Sequence, residues 1–288
     1  MRIKRFAKAS TFLLLGCISI NLMQSCNNDE PNRESVDFSK GKVSKTTLEM
    51  INVTFPGLRI DSMGSYSDHN QRKMEYDGPL LTKYSELYKD GSVHDGVSFT
   101  LEYSLDTVYI KTIGGALYKG VIGKNGLVCK LICPNGKENV YKYNKDNQLL
   151  SYDVDIADKE DLSYYKLEWE NGNIIRRYRV YPDPSIYHGN DTIRSIVSYY
   201  YTNTPNKGSV LPSQEGWIHD EGKSYAYGIN DVLYYAGLLG PSSRLLLEYA
   251  NSWSIVTQND KKYTYSYKLY EDGYVKSDGT YDYFYLSK

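Results

Sequence analysis

The period of its tyrosines constrains this chain more than any other feature. Near the C-terminus Tyr263, Tyr265, Tyr267 and Leu269 fall on one face of an extended segment, and Lys262, Thr264, Ser266 and Lys268 on the other. Tyr281, Tyr283 and Tyr285 repeat the pattern, and Tyr141 and Tyr143 begin it earlier. Successive side chains of a strand point to opposite faces, so period two with one polar face predicts half-buried antiparallel strands. Tyrosine suits that surface, with a ring that packs and a hydroxyl that reaches water. With 31 tyrosines in the chain, the pattern belongs to the whole fold and not to one segment.

Turn dipeptides separate the strands: Asp90-Gly91, Asn125-Gly126, Asn135-Gly136, Asp146-Asn147, Asn171-Gly172, Asp272-Gly273 and Asp278-Gly279. Such pairs suit the positive φ angles of tight hairpins. A unit of aromatic residues, an Asp/Asn turn, one residue and an aliphatic recurs at 141–149, 169–174 and 270–275. Its spacing is irregular, which predicts a meander of long hairpins and not a solenoid. Two segments break the pattern. Thr46 to Val53 reads as a short helix, with Thr46 and Glu49 in capping-box spacing and Phe55-Pro56-Gly57 ending it. Asn230 to Leu239 reads as a second, stopped by Gly240-Pro241. Loop-rich stretches occupy 182–191 and 202–223.

Cys129 and Cys133 sit in an apolar run that reads as a strand. Residues four apart on a strand lie roughly 13 Å apart, and a disulfide needs Cα atoms within about 7 Å. The two are therefore expected as unpaired core thiols unless a bulge folds the strand, and no second Cys or His cluster accompanies them for zinc.

The N-terminus carries an address. Arg2, Lys4, Arg5 and Lys8 precede a largely apolar run from Ala9 to Met23, too short for a bilayer-spanning helix of about 20 residues. The run ends at Leu22-Met23-Gln24-Ser25-Cys26, which resembles a lipobox with Gln24 where a small residue is usual. Leu14-Leu15-Gly16-Cys17 is a rival, but cleavage there leaves a minimal apolar region and an exposed apolar tail from Ile18 to Met23. Residues 1–25 are thus read as a lipoprotein signal peptide, Cys26 as the lipidated residue, 26–42 as a disordered tether and 43–288 as a single β-meander domain with an insertion at 202–246. Several acyl chains on one cysteine anchor a protein stably. Asp29 and Glu30 resemble the acidic export signal of surface lipoproteins in bacteria with glycan-harvesting systems. Without the four signal-peptide bases, 30 basic residues face 35 acidic ones, a net charge of −5. That balance argues against a nucleic-acid partner.

The aromatic-turn hairpins, the late helix, the segment Gly237-Leu238-Leu239-Gly240-Pro241-Ser242-Ser243-Arg244-Leu245-Leu246 and the closing tyrosine hairpin resemble an uncharacterised envelope lipoprotein family, a domain of unknown function with a porin-like fold. The resemblance covers about residues 45–288. It implies a curled or barrel-like antiparallel sheet outside the membrane, and it implies no activity. A transmembrane barrel is disfavoured, because faces such as Lys262/Thr264/Ser266/Lys268 are polar where a lipid-facing band must be apolar.

Catalytic signatures are missing from the sequence. His69, His94, His188 and His219 are scattered, with no His-Glu-x-x-His spacing, serine elbow or phosphate loop. The acidic stretch Asp153 to Asp161 lacks the glycine and terminal Glu of a calcium loop. No cofactor and no metal are expected. Trp217, His219, Tyr225, Tyr227, Tyr234 and Tyr235 cluster in the loop-and-helix insertion and form the candidate ligand surface, since aromatic rings anchor interfaces and stack on sugars. The same rings could instead cover an open end of the sheet. Segments 182–191 and 202–246 are expected to meet at one end and present the site there. Ser62, Thr107 and Thr192 each follow Asp and precede an apolar residue, a pattern resembling that of O-glycosylation in some envelope proteins. The leading expectation is a lipid-anchored outer-membrane binding module, non-enzymatic, for a glycan or an envelope protein, facing the cell surface with a periplasmic orientation as the alternative. The alternative is a glycan- or peptide-cleaving hydrolase with dispersed carboxylates.

Overall fold

The computed structural model describes residues 35–38, 41–65, 71–153, 163–181, 192–211, 228–254 and 260–286. A two-stranded hairpin, β1 (Ser35–Phe38) and β2 (Gly41–Ser44), leads into helix α1 (Lys45–Thr54). Then come β3 (Ile60–Ser65), β4 (Gln71–Asp77), β5 (Leu80–Leu87), β6 (Phe99–Tyr103), β7 (Thr107–Thr112), β8 (Leu117–Ile122) and β9 (Val128–Ile132). The meander continues with β10 (Glu138–Tyr143), β11 (Leu149–Asp153), β12 (Tyr164–Glu170), β13 (Asn173–Tyr181) and β14 (Thr192–Pro205). Helix α2 (Ile229–Tyr235) is followed by β15 (Leu245–Ser254), β16 (Asp260–Thr264), β17 (Lys268–Leu269), β18 (Val275–Ser277) and β19 (Tyr281–Tyr285).

From β3 onward consecutive strands pair antiparallel, except that β16 and β17 follow one another in the same direction, β16 on β15 and β17 on β18, and β19 pairs back onto β3. The expected curled meander is therefore a closed barrel of 17 strands, with no sheet edge left unpaired. All seven turn dipeptides place a positive φ at their second residue, and Asn171-Gly172 does so at both positions, 51° and 78°. The hairpins were legible because only such residues adopt that backbone cheaply.

Antiparallel order sorts the connections onto two ends. At the turn end lie the tight links after β4, β6, β8, β10, β12 and β17. At the loop end lie the links after β3, β5, β11, β13 and β15. Helix α1 packs at the turn end, where Asn147 in the β10–β11 link contacts Met50. Its N-cap is Ser44, whose Oγ accepts the Thr47 N–H at 3.1 Å, so the helix starts before the expected Thr46. The hairpin β1–β2 also corrects the reading of 26–42 as wholly disordered.

Helix α2 corrects the largest expectation. All seven of its residues are buried. Gly228, at its start, faces Phe99 at the loop end of β6, and Gly237, just past it, faces Ile51 of α1 at the turn end. The helix thus runs through the lumen and does not cap an end. It stops at Ala236, earlier than the expected Leu239. Gly237 takes φ 77° and donates to the Tyr234 carbonyl at 2.7 Å, while Leu238 donates to that of Leu233 at 2.9 Å. That pair of bonds satisfies the carbonyls left open at a helix C-terminus. The insertion itself is shorter than 202–246, because β14 continues to Pro205 and β15 starts at Leu245.

The tyrosines are buried more deeply than half-buried strands imply. Tyr84, Tyr118, Tyr143, Tyr152, Tyr165, Tyr234 and Tyr283 rank among the largest fully buried side chains. Several buried tyrosine hydroxyls turn to protein: Tyr143 donates to the Val128 carbonyl at 2.7 Å, Tyr283 to Asp278 Oδ2 at 2.9 Å and Tyr141 to Asn230 Oδ1 at 2.7 Å. A barrel of 16 to 18 strands ordinarily encloses a channel. Long rigid rings from the wall and the buried helix α2 fill the described part of this one. Cys129 and Cys133 are both buried. Cys129 is disulfide-bonded, which corrects the expectation of an unpaired thiol there.

Candidate functional site

The inward faces of the strands carry charge as well as rings. Arg72 alternates with Met74 and Tyr76 on the core side of β4, and Glu86 with Tyr84 on that of β5. Asp231 enters from the first turn of α2, where a carboxylate suits the helix dipole. Arg72 Nε lies 3.5 Å from Glu86 Oε2, and its Nη1 lies 3.7 Å from Asp231 Oδ2. The Tyr281 ring sits 5.3 Å from the same guanidinium. Burial disfavours the Arg72 cation, but Tyr84, Asp231, Tyr281 and Glu86 more than offset it, and its pKa stands above the ordinary arginine value. Further round the wall Arg177 is buried with its guanidinium 4.9 Å from the Tyr165 ring centre, and Arg179 lies 5.9 Å from that ring. Desolvated contacts of this kind are worth about 2 kcal/mol.

Arg72 and Asp231 bind the helix to the wall, and Arg177 and Arg179 bind wall strand to wall strand. The two carboxylates on Arg72 are only 12% and 10% exposed and spend their charge on one arginine, which is not the arrangement of a hydrolytic pair with room for water. Among the described residues no group of three His, Cys, Asp or Glu side chains could hold a metal ion.

Of the candidate ligand residues, Tyr234 and Tyr235 belong to the core. Tyr234 meets Phe55 edge-on at 5.6 Å and donates its hydroxyl to the Ser209 carbonyl. Tyr235 stacks on Tyr84 at 6.3 Å, and Arg59 donates to its carbonyl while lying over Phe55 and Tyr76 at 4.2 and 4.6 Å. Burial pushes the phenols of Tyr84, Tyr234 and Tyr235 well above the ordinary tyrosine range. Neither late tyrosine has a face to offer, so both are removed from the ligand surface. Trp217, His219, Tyr225, Tyr227 and Cys26 lie outside the described residues, as does segment 182–191. The described parts of the insertion, 206–211 and 236–244, pack at the turn end, whereas 182–191 links β13 to β14 at the loop end. The two segments therefore do not wholly meet at one end. Ser62 and Thr107 are buried, each bonded to the carboxylate before it, and Thr192 is the first residue of β14.

The architecture has counterparts. The barrel is similar to solved porin-like proteins. One, from Bacteroides uniformis, superposes with a TM-score of 0.54 at 15% identity, covering 79% of this chain and 98% of that one. Another, from Bacteroides vulgatus, gives 0.50 at 15% identity over 80% and 99%. At that identity the likeness concerns the fold alone. No protein-family model and no curated protein matches the chain.

The outer face differs from that of a lipid-embedded barrel. Exposed cations stand along it, Lys119 on β8, Lys142 on β10, Lys166 on β12, Arg176 on β13 and Lys262 on β16 among them. A charged side chain at mid-bilayer costs about 2–4 kcal/mol each. No described helix is long and apolar enough to cross a membrane. Aromatic residues punctuate the face: Tyr200 stacks on Tyr249 at 4.3 Å, with Lys262 Nζ 4.0 Å from the Tyr249 ring. Its neighbours Tyr199 and Tyr201 point inward, as three consecutive tyrosines on a strand require.

Sequence reasoning missed the charged lumen. Arg72, Glu86 and Asp231 are scattered over 160 positions, and no motif joins them. The available signal was charge at the apolar phase of β4 and β5.

Proposed function

We propose that this protein is a lipid-anchored binding or interaction module of the outer membrane, non-enzymatic, that recognises a glycan or an envelope protein with its surface. The observation that carries the reading is the filled lumen. Among the described residues α2 and the tyrosines packed around it fill the barrel interior, which supports a reading in which function lies on the surface. What remains for function is what the scaffold displays. Support for the anchor is the lipobox-like segment ending at Cys26, and the chain enters the fold at the turn end through α1. That leaves the loop end as the face turned from the anchor. The segment bearing Trp217, His219, Tyr225 and Tyr227 leads directly into Gly228 at that loop end and is the proposed ligand surface.

The test uses the full chain on arrays of glycans and on crosslinked envelopes, with product analysis. Trp217→Ala and Tyr225→Ala should each lose capture with little change in melting temperature. Release of any saccharide or peptide product would replace this reading with the hydrolase. Non-reducing peptide mapping should find the lipid on Cys26, and a disulfide at Cys26 or lipid on Cys17 would overturn the anchor.

A further inference from the structure

A groove of about 370 Å³ opens at the turn end, between the last turn of α1 and the links after β10, β12 and β14. That size lies within the range of roughly 300–1,000 Å³ typical of small-ligand sites. Two side chains of opposite charge line it, Arg244 and Asp146. They do not pair with each other, and among the described residues neither makes an ion pair.

Both are held by rigid turns. The Arg244 N–H donates to the Gly172 carbonyl at 3.2 Å, and its own carbonyl accepts from the Asn206 N–H at 2.8 Å. Its side chain lies flat on Gly172, so close that a Cβ there would stand 2.5 Å from Nε. The turn holds the Arg244 backbone, and a planar guanidinium loses less freedom per hydrogen bond than a lysine would. Asp146 sits in a turn clasped by Asn144, whose Oδ1 accepts the N–H groups of Asp146 and Gln148 at 2.9 and 3.0 Å. The floor is neutral and hydroxylated, with Thr54, Ser209, Ser242 and Ser243. Among the described residues the Thr54 hydroxyl is buried without a hydrogen-bond partner, a deficit worth about 1–3 kcal/mol. Val53 and Pro56 supply an exposed apolar wall.

We propose that this groove binds an acidic saccharide, with its carboxylate on Arg244 and its ring hydroxyls on Asp146 and the neutral floor. Arginine takes a carboxylate through two parallel bonds. Asp146 accepts from hydroxyls and repels a second anionic group, which disfavours phosphate and other polyanions. An extended peptide is disfavoured because strand addition needs a sheet edge, and the closed barrel has none. The apolar wall suits the C–H face of a sugar ring. This site lies opposite the loop end and stands independently of the ligand surface proposed there.

The experiment titrates the full chain with a glucuronate-containing disaccharide, its neutral glucose counterpart and a dialanine zwitterion, by calorimetry. The acidic sugar should bind roughly tenfold or more tightly than the neutral one, the weight of one charge-assisted bond. Arg244→Ala should erase that preference at unchanged melting temperature, Arg244→Lys should restore part of it, and Lys142→Ala, a cation on the outer face, should leave it intact. Equal binding of both sugars, preference surviving in Arg244→Ala, binding of dialanine alone or no heat from any probe at millimolar concentration would each overturn the proposal.

Discussion

Two tyrosine stacks, one inside the barrel wall and one outside, separate contact geometry from consequence. Tyr84 of β5 and Tyr235 of α2 stack at 6.3 Å with planes 18° apart, both buried. Tyr200 of β14 and Tyr249 of β15 stack at 4.3 Å with planes 14° apart, and Tyr200 is 42% exposed. The outer pair is the closer one, yet an aromatic pair adds only about 0.5–1.5 kcal/mol beyond burial. Removing a whole ring of roughly 200 Å² from water is worth about 5 kcal/mol before ordering costs. The side of the wall therefore decides what a tyrosine contributes, and the quality of its stack is secondary.

Replacing the inner partner should break the comparison most visibly. Tyr235→Ala opens a hole between α2 and β5, and large aromatic-to-alanine changes in cores cost about 3–5 kcal/mol. Denaturant unfolding should show the midpoint falling at unchanged slope. A loss below about 1 kcal/mol would mean that α2 does not pack in the lumen, and the filled-barrel argument would fall with it. Tyr84→Ala should cost a similar amount, and the double variant less than the sum, because the two rings share one contact.

A smaller change separates the ring from its hydroxyl. Tyr143→Phe keeps the buried ring and removes the donor to the Val128 carbonyl at 2.7 Å. That leaves a buried acceptor short of a bond, at a cost of about 1–3 kcal/mol. The same substitution at Tyr249, on the outer face, should change stability by less than about 0.5 kcal/mol. Thermal unfolding of the two variants side by side measures the difference. Equal effects would show that the inner hydroxyls are not what holds the rings in place.

The same contrast explains what could be read from the chain in advance. Strand period and turn chemistry are local, so Tyr263 to Leu269 and the Asp/Asn turns declared hairpins without knowledge of the rest. Barrel closure depends on β19 finding β3 across more than 200 residues, and the position of α2 depends on the width of the barrel it fills. Helix periodicity around Asn230 to Leu239 marks a helix, but a helix apolar all round fits an end cap and a lumen equally well. For the same reason Tyr234 and Tyr235 looked like Trp217 and Tyr225: composition records an aromatic residue and not the side of the wall it faces. The groove beside Arg244 was illegible for another reason. Its parts come from α1 and three separate links, and only the fold places Arg244 and Asp146 on one surface.

The smallest expected effect is on the outer stack itself. Tyr200→Ala removes a cross-strand pair on a wet face, and such pairs contribute about 0.2–1 kcal/mol. Lys262 over Tyr249 adds about 0.5–1 kcal/mol at an exposed site and survives the change, since it rests on the other ring. The variant should therefore melt within a few degrees of the parent and elute at the same size. Large destabilisation in a monomer would mean that the face is buried by residues outside the described set. Destabilisation that grows with dilution of the parent would mean instead that a second copy covers Tyr200 in solution. Light scattering of parent and variant at two concentrations tells these apart. An unchanged mass with a small loss of stability confirms that the outer rings are free surface, available to a partner at little structural cost.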